Sequence, residues 1–300
     1  MVVREKTARE KLAVELCGIA LETPLIPASG TMAKEALGEV AGVYGAILPK
    51  TTTPKERAGN PPPRIAETPA GMVNSIGLQN PGVEKFLKGL DDFDLGAPVF
   101  VSVAGDTVDE FVALCERLSG DSRISAVELN LSCPNVEHGG LTFCAGPASV
   151  EEVIGACRSA FPDKPLFAKL TNEGVVANAL AAEGAGTDAL TVINTIPALT
   201  IDSERQTVLV RGGLSGPAIK PVALRAVFDV SRAVSIPVVA SGGVASGTDV
   251  AEFMLAGATV VQVGTASFVR EPEEILREFS DYLERMGMTA IELTGALRSL

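Results

Sequence analysis

Two lysines, a cysteine flanked by asparagines and two glycine loops are the residues of this chain best suited to chemistry. Lys50 follows the apolar run 45–49, and Lys169 sits near the end of the apolar run 165–170. An ammonium buried without a partner is costly, so such lysines call for an anionic ring, a carboxylate, or a carbonyl that forms a Schiff base. Residue type alone leaves these uses open. The string Asn130-Leu-Ser-Cys133-Pro-Asn135 follows another apolar run. A carboxamide offers both donor and acceptor and so suits the edge of an amide- or imide-like ring. A loop thiol such as Cys133 can be a nucleophile, a base or a metal ligand. Gly242-Gly243 and Gly264-Thr265 let backbone N–H groups approach an anion such as phosphate, or simply turn the chain. A third cluster, Gly212-Gly-Leu-Ser-Gly216, precedes a helical stretch and can close over the same ligand.

The elements that must position these groups repeat. Apolar runs at 24–28, 45–49, 98–103, 126–131, 165–170, 189–193, 237–240 and 260–263 read as strands buried on both faces. Amphipathic stretches at 106–118, 149–160, 174–183, 221–233 and 247–256 read as helices between them, with Pro221 in a first turn. Alternation around Cys17-Gly18 predicts a small hairpin over 12–22 that caps one end. Eight strand–helix units predict an α/β fold, a (β/α)8 TIM barrel spanning 1–300 as one domain with long βα loops over its active site. A doubly wound sheet would carry a glycine fingerprint at its first turn, and Ala28-Ser29-Gly30-Thr31 is not one. Active sites of such barrels lie at the C-terminal strand ends. The eight ends carry Ser29, Lys50-Thr51, Ser102, Asn130, Lys169, Asn194, Gly242-Gly243 and Gly264-Thr265, with no bulky apolar residue among them. The segment 51–82 exceeds an ordinary βα turn, which marks it as functional, with Asn74 and Gly77 placed over the ligand.

Composition narrows the chemistry. The net charge of −12 disfavours an electrostatic grip on nucleic acid or an anionic membrane. The single histidine, His138, excludes a His-rich metal centre and reads as a solvated lid residue. Five cysteines without a C-x-x-C pair disfavour a disulfide framework and a self-contained iron–sulfur site. Cys115 and Cys157 lie on apolar helix faces and read as core packing, Cys17 as structural, and Cys144 is undecided. The spacing Cys133…His138…Cys144 matches no zinc pattern, so no metal site is expected. No apolar stretch is long enough to span a bilayer and 1–12 has no signal-peptide core, so a cytoplasmic location is expected.

Taken in order, the motifs resemble the class 1 dihydroorotate dehydrogenases, which are FMN-containing barrels. The matching pieces are Ala28-Ser29-Gly30-Thr31, Lys50-Thr51, Asn60-Pro-Pro-Pro-Arg64, Glu67-Thr-Pro, Asn74-Ser75-Ile76-Gly77-Leu78-Gln-Asn-Pro81, Asn130-Leu-Ser-Cys-Pro-Asn135, Lys169, Ile193-Asn194-Thr195, Gly212-Gly-Leu-Ser-Gly216-Pro, Gly242-Gly243 and Val263-Gly264-Thr265. Each is weak alone; the ordered set is specific. Asn135-Val136, Gly139-Gly140 and Gly77-Leu-Gln-Asn80 resemble the NAD-linked class 1B.

The resemblance implies oxidation of (S)-dihydroorotate to orotate, with Cys133 as the base at C5 and hydride passing from C6 to the flavin. It implies FMN contacts from Ser29, Lys50, Thr51, Ser102, Asn130, Lys169, Ile193 and Gly216, and phosphate contacts from Gly242, Gly243, Gly264 and Thr265. Substrate contacts fall to Lys50, Asn74, Ser75, Ile76, Gly77, Leu78, Asn130, Asn194 and Thr195. It further implies a homodimeric core and an electron-transfer subunit with FAD and a [2Fe–2S] cluster. Ser102 departs from the family's usual Asn, and the segments after Lys169 and over 200–213 are shorter than usual. Two other readings remain: a sibling flavoenzyme for another dihydropyrimidine, and a non-redox phosphate-binding barrel lyase or isomerase.

Overall fold

The computed structural model of the chain describes residues 7–31, 42–90, 96–132 and 143–298. Cys133, Asn135, His138, Gly139 and Gly140 lie outside the described residues. The expected hairpin is present as β1 (Val14–Leu16) and β2 (Ile19–Leu21), with Val14 opposite Leu21. Its turn uses Cys17 and Gly18, both at positive φ, and the Cys17 thiol donates to the Asp188 carbonyl at 3.2 Å.

The remaining strands follow in chain order. They are β3 (Leu25–Pro27), β4 (Ile65–Thr68), β5 (Gly71–Asn74), β6 (Val99–Val103), β7 (Ile124–Asn130), β8 (Leu166–Leu170), β9 (Ala189–Val192), β10 (Ile196–Asp202), β11 (Thr207–Ser215), β12 (Val238–Ser241) and β13 (Ala258–Val263). Seven of them form one parallel sheet in the order β3-β13-β12-β9-β8-β7-β6. The run around Ile47 closes it. Gly45 N donates to Leu25 O at 2.8 Å, and Ile47 and Thr52 form parallel bridges to Val99 and Val103. That run is therefore the second of eight barrel strands, and the predicted (β/α)8 barrel is the observed architecture. Asp188 precedes β9, so the hairpin covers the N-terminal floor of the barrel, opposite the strand ends that carry the polar residues.

Helices Val108–Ser119, Pro147–Ala160, Val175–Gly184, Lys220–Ala233 and Gly247–Leu255 lie within about two residues of the predicted stretches. Local sequence sets their ends. Thr107 and Ser246 cap two of them by accepting from the N–H three residues on, and Pro147 and Pro221 occupy first turns. A further helix, Pro272–Met286, is strongly amphipathic and buries Ile275, Phe279 and Leu283. Along β8 the pleat sends Leu166, Ala168 and Leu170 one way and Phe167 and Lys169 the other. Phe167 meets Phe100 of β6 edge-to-face inside the barrel at 5.4 Å, which fixes the Lys169 side as the interior.

The long segments read as loops hold a second, antiparallel sheet in the order β10-β11-β5-β4. It stands at the C-terminal end of the barrel and places Asn74 opposite Gly213. No helix among the described residues is long and apolar enough to cross a membrane.

Candidate active site

The strand ends and the antiparallel sheet enclose an open cavity of about 2360 Å³. Drug-sized ligand sites usually occupy roughly 300–1,000 Å³, so this cavity exceeds what one small ligand needs. Of the residues singled out in the sequence, Ser29, Lys50, Thr51, Asn74, Ser75, Ile76, Gly77, Leu78, Asn130, Lys169, Ile193, Asn194, Thr195, Gly216, Gly242, Gly243, Gly264 and Thr265 all line this cavity. Ser102 does not. It is buried behind the wall, where its hydroxyl meets Thr51 Oγ1 at 2.9 Å, and Thr51 in turn meets Ser29 Oγ at 2.8 Å. Ser102 thus supports a contact residue rather than lining the cavity. Cys133 lies outside the described residues, immediately after Ser132, which does line the cavity.

Lys169 enters from β8 and is almost wholly buried. Its Nζ donates to Gln262 Oε1 at 2.9 Å, one of the three donors an ammonium carries. Burial pushes its pKa below the ordinary lysine range, and the Glu128 carboxylate opposes that shift. Lys50 lies over the first strand end. A Cβ on Gly30, which has φ +84°, would fall 2.7 Å from Lys50 Nζ. Both ammonium groups line the cavity, within a chain of net charge −12.

The asparagines are held by one another. Ser132 Oγ donates to Asn130 Oδ1 at 2.8 Å, Asn194 Nδ2 donates to Ser132 Oγ at 2.5 Å, and Thr195 N donates to Asn194 Oδ1 at 2.8 Å. Asn130 Nδ2 has no acceptor among the described residues, so a donor remains at the cavity wall. The two motifs of the long segment are stitched together. Asn60 Nδ2 donates to Ser75 O and Ser75 Oγ at 3.0 and 2.9 Å, and Arg64 donates to Gln79 Oε1 at 2.7 Å. Asn80 is a buried anchor whose Oδ1 accepts from Gly82 N at 2.8 Å and whose Nδ2 donates to Thr53 Oγ1 at 2.8 Å. These bonds fix the 74–78 segment over the cavity.

At the opposite side the loop after β12 requires glycine. Gly243 has φ +84°, and a Cβ there would sit 2.7 Å from the Lys220 backbone nitrogen. The Lys220 backbone packed there is what demands glycine, and Gly242 and Gly243 present bare backbone at the cavity wall. The loop is tied down behind its tip. Asp249 accepts from Lys220 and from Ala245 N (2.9 Å), Lys220 also contacts Glu252 at 2.7 Å, and Arg270 donates to Ala245 O at 2.7 Å. Burial raises the Asp249 pKa, but the Lys220 hydrogen bond and the Ala245 N–H outweigh it and hold the carboxyl below its ordinary value. A carboxylate depressed on folding stabilises above its unfolded pKa and loses that contribution as pH falls through the folded one. Asp249→Asn is therefore expected to cost on the order of 2 kcal/mol near pH 7. Urea unfolding at stepped pH checks this: the gap to the parent should close below about pH 4, and a pH-independent gap would contradict it.

The sequence reading passed over Ser132, Thr171 and Asn178, which also line the cavity, and Glu128, Thr191 and Gln262, which lie beneath it. The signal available for Glu128 and Gln262 is a polar residue inside an otherwise apolar strand, Val127-Glu128-Leu129 and Val261-Gln262-Val263. Cys144 is buried, and burial pushes its thiol up to about 11, which leaves it a poor base. No cluster of His, Cys, Asp and Glu fit to hold a metal occurs among the described residues.

The chain is similar to known proteins over nearly its whole length. The family profile described as dihydroorotate dehydrogenase matches residues 11–285. The catalytic subunit of dihydroorotate dehydrogenase B (NAD(+)) from Desulforudis audaxviator is 46% identical over 304 aligned residues, covering 95% of this chain and 97% of the relative. The subunit of the same name from Geobacter metallireducens is 45% identical over 306, covering 97% and 99%. A crystal structure of dihydroorotate dehydrogenase from Eimeria tenella, in complex with ferulenol, superposes with a TM-score of 0.83 over 99% of this chain and 91% of that one. At 23% identity it speaks for the fold alone.

Proposed function

Because this chain belongs to the dihydroorotate dehydrogenase family, we propose that it is the FMN-carrying catalytic subunit of the NAD-linked class 1B form, oxidising (S)-dihydroorotate to orotate in pyrimidine synthesis. The observation that carries this reading is the identity of 45–46% over nearly the whole chain with catalytic subunits of that enzyme. The cavity supports it, because two lysines, a fixed asparagine set and the glycines of two strand-end loops line it together. The whole of 1–300 acts as one catalytic domain in this reading, and the cytoplasm is its location.

The donor set fits FMN. Gly242, Gly243, Gly264 and Thr265 would hold the phosphate, which needs N–H donors at close backbone approach. Ser29, Thr51, Ile193 and Gly216 would line the ring, with Ser102 steadying Thr51 from behind. Lys169 would set a positive charge against the pyrimidine edge of the ring, where carbonyl oxygens accept.

When bound, FMN supplies the acceptor for the hydride that leaves C6 of dihydroorotate. Cys133 takes the proton from C5; a thiol with an ordinary pKa of about 8.5 is a serviceable base near neutrality. Asn130, Asn194 and Asn74 offer carboxamides to the amide and imide edges of the substrate, and Thr195 offers a hydroxyl. Lys50 would serve flavin and substrate together and balance the substrate carboxylate. Ser75, Ile76, Gly77 and Leu78 cover the substrate and exclude water. A partner subunit carrying FAD and a [2Fe–2S] cluster, docked on a homodimeric core, would supply the route from the flavin to NAD⁺.

The acceptor tests this reading. The dihydroorotate-reduced chain should be reoxidised by NAD⁺ only when the partner subunit is added. Reoxidation by fumarate or a quinone without a partner would place it in another class.

A further inference from the structure

Strands β7, β9 and β13 bring Glu128, Thr191 and Gln262 together inside the barrel, beneath Lys169. Alternate strands supply each interior layer of such a barrel, and branched apolar residues ordinarily fill it. Here the fourth, sixth and eighth barrel strands supply a carboxylate, a hydroxyl and a carboxamide, all almost inaccessible to solvent. Lys169 Nζ donates to Gln262 Oε1 at 2.9 Å. Gln262 Nε2 donates to Glu128 Oε2 at 3.0 Å, and Thr191 Oγ1 donates to the same oxygen at 2.7 Å. An ammonium only donates and an ionised carboxylate only accepts, so the Gln262 amide has a single orientation that serves both. Placed elsewhere in such an interior, either charge would neutralise itself.

We propose that Glu128, acting through Gln262, is a positioning residue that holds Lys169 charged and aimed into the cavity at the pyrimidine edge of the flavin. The inference rests on the FMN reading above. The interposed amide matters. A carboxylate in direct contact with Lys169 would take up its donors and cancel its field. Across Gln262 the negative charge sustains the ammonium while leaving its remaining N–H donors to the cavity.

Other charged groups do not share this task. Lys50, Arg57, Arg64, Glu173 and Arg211 line the cavity walls and mouth. The neighbouring strands contribute uncharged groups, Ser102 from β6, Asn130 from β7, Thr191 from β9 and Ser241 from β12. Among the described residues, Glu128 is the charge that acts on Lys169, against the burial that would discharge it.

The test is FMN affinity measured by fluorescence from pH 6.5 to 9, above the second ionisation of a phosphate monoester near about 6. The proteins are the parent, Glu128→Gln, Gln262→Met, Lys169→Met and the double variant Glu128→Gln/Lys169→Met. The parent should vary by less than about twofold across the range, because Lys169 keeps its proton. Glu128→Gln should bind comparably at the acid end and lose about tenfold or more by pH 9, as Lys169 discharges. Lys169→Met should bind weakly at every pH, and adding Glu128→Gln to it should change nothing further. If Glu128→Gln does not fold, Gln262→Met carries the same prediction, since it keeps the side-chain length and breaks the bridge. A folded variant with the parent's pH profile would overturn the proposal. So would a pH-independent loss that persists on the Lys169→Met background, which is the mark of a packing role. A parent chain that binds no FMN would defeat the flavin reading itself.

Discussion

Replacing Cys133 with alanine or serine should lower turnover about 10²-fold or more, the scale of a lost general base, while the bound flavin and its spectrum stay in place. Cys133 follows the Asn130-Leu-Ser132 string, whose ends line the cavity. The described thiols are poor candidates for its role. Cys115 and Cys157 are wholly buried between helices, and burial pushes Cys144 and Cys17 up to about 11 and about 12. Serine keeps the shape of cysteine but gives up its proton far less readily, so both variants should fail at proton removal rather than at binding. Steady-state assay with dihydroorotate, beside the flavin spectrum of each variant, checks this. Full activity in both variants would remove Cys133 from the mechanism.

Lys169→Met should slow flavin reduction by dihydroorotate on the order of 10²–10³-fold, the range seen when one preorganised electrostatic donor is removed from a buried site. Burial sets the size of the effect. At the wall of a low-dielectric cavity a single ammonium acts far more strongly than it would in water, and Lys169 is held there by Gln262 at 2.9 Å. Methionine keeps the length and volume of the side chain and removes only its charge and donors. Stopped-flow reduction under anaerobic conditions separates this from a packing defect, which would appear as a lowered melting temperature with an unchanged reduction rate.

How much of this was legible depended on the kind of signal each residue gives. The eight apolar runs stood out because parallel strands covered on both faces read as continuous Val, Ile, Leu and Ala. Residues at their C-terminal ends could then be collected without knowing the strand order, and all but Ser102 and the undescribed Cys133 line one cavity. The antiparallel sheet gave no such signal. β4 and β5 are four residues each, and β10 carries Pro197 and alternates between half-buried and exposed positions. Their pairing joins positions such as Asn74 and Gly213, far apart along the chain. Glu128 and Gln262 escape a periodicity reading for the opposite reason. Periodicity treats a polar residue within a strand as an interruption, whereas here the two meet across the barrel interior. Residue type left Lys50 and Lys169 open between holding an anionic ring and forming a Schiff base. Family membership favours the flavin, since the geometry of a buried ammonium suits both.

The central claim is that this cavity oxidises dihydroorotate on a flavin, and anaerobic titration tests it most directly. The purified chain, loaded with FMN, should lose its visible flavin absorbance on addition of one equivalent of dihydroorotate, with orotate formed in step and dihydrouracil without effect. A flavin that stays oxidised under dihydroorotate, or bleaches equally with dihydrouracil, would contradict it.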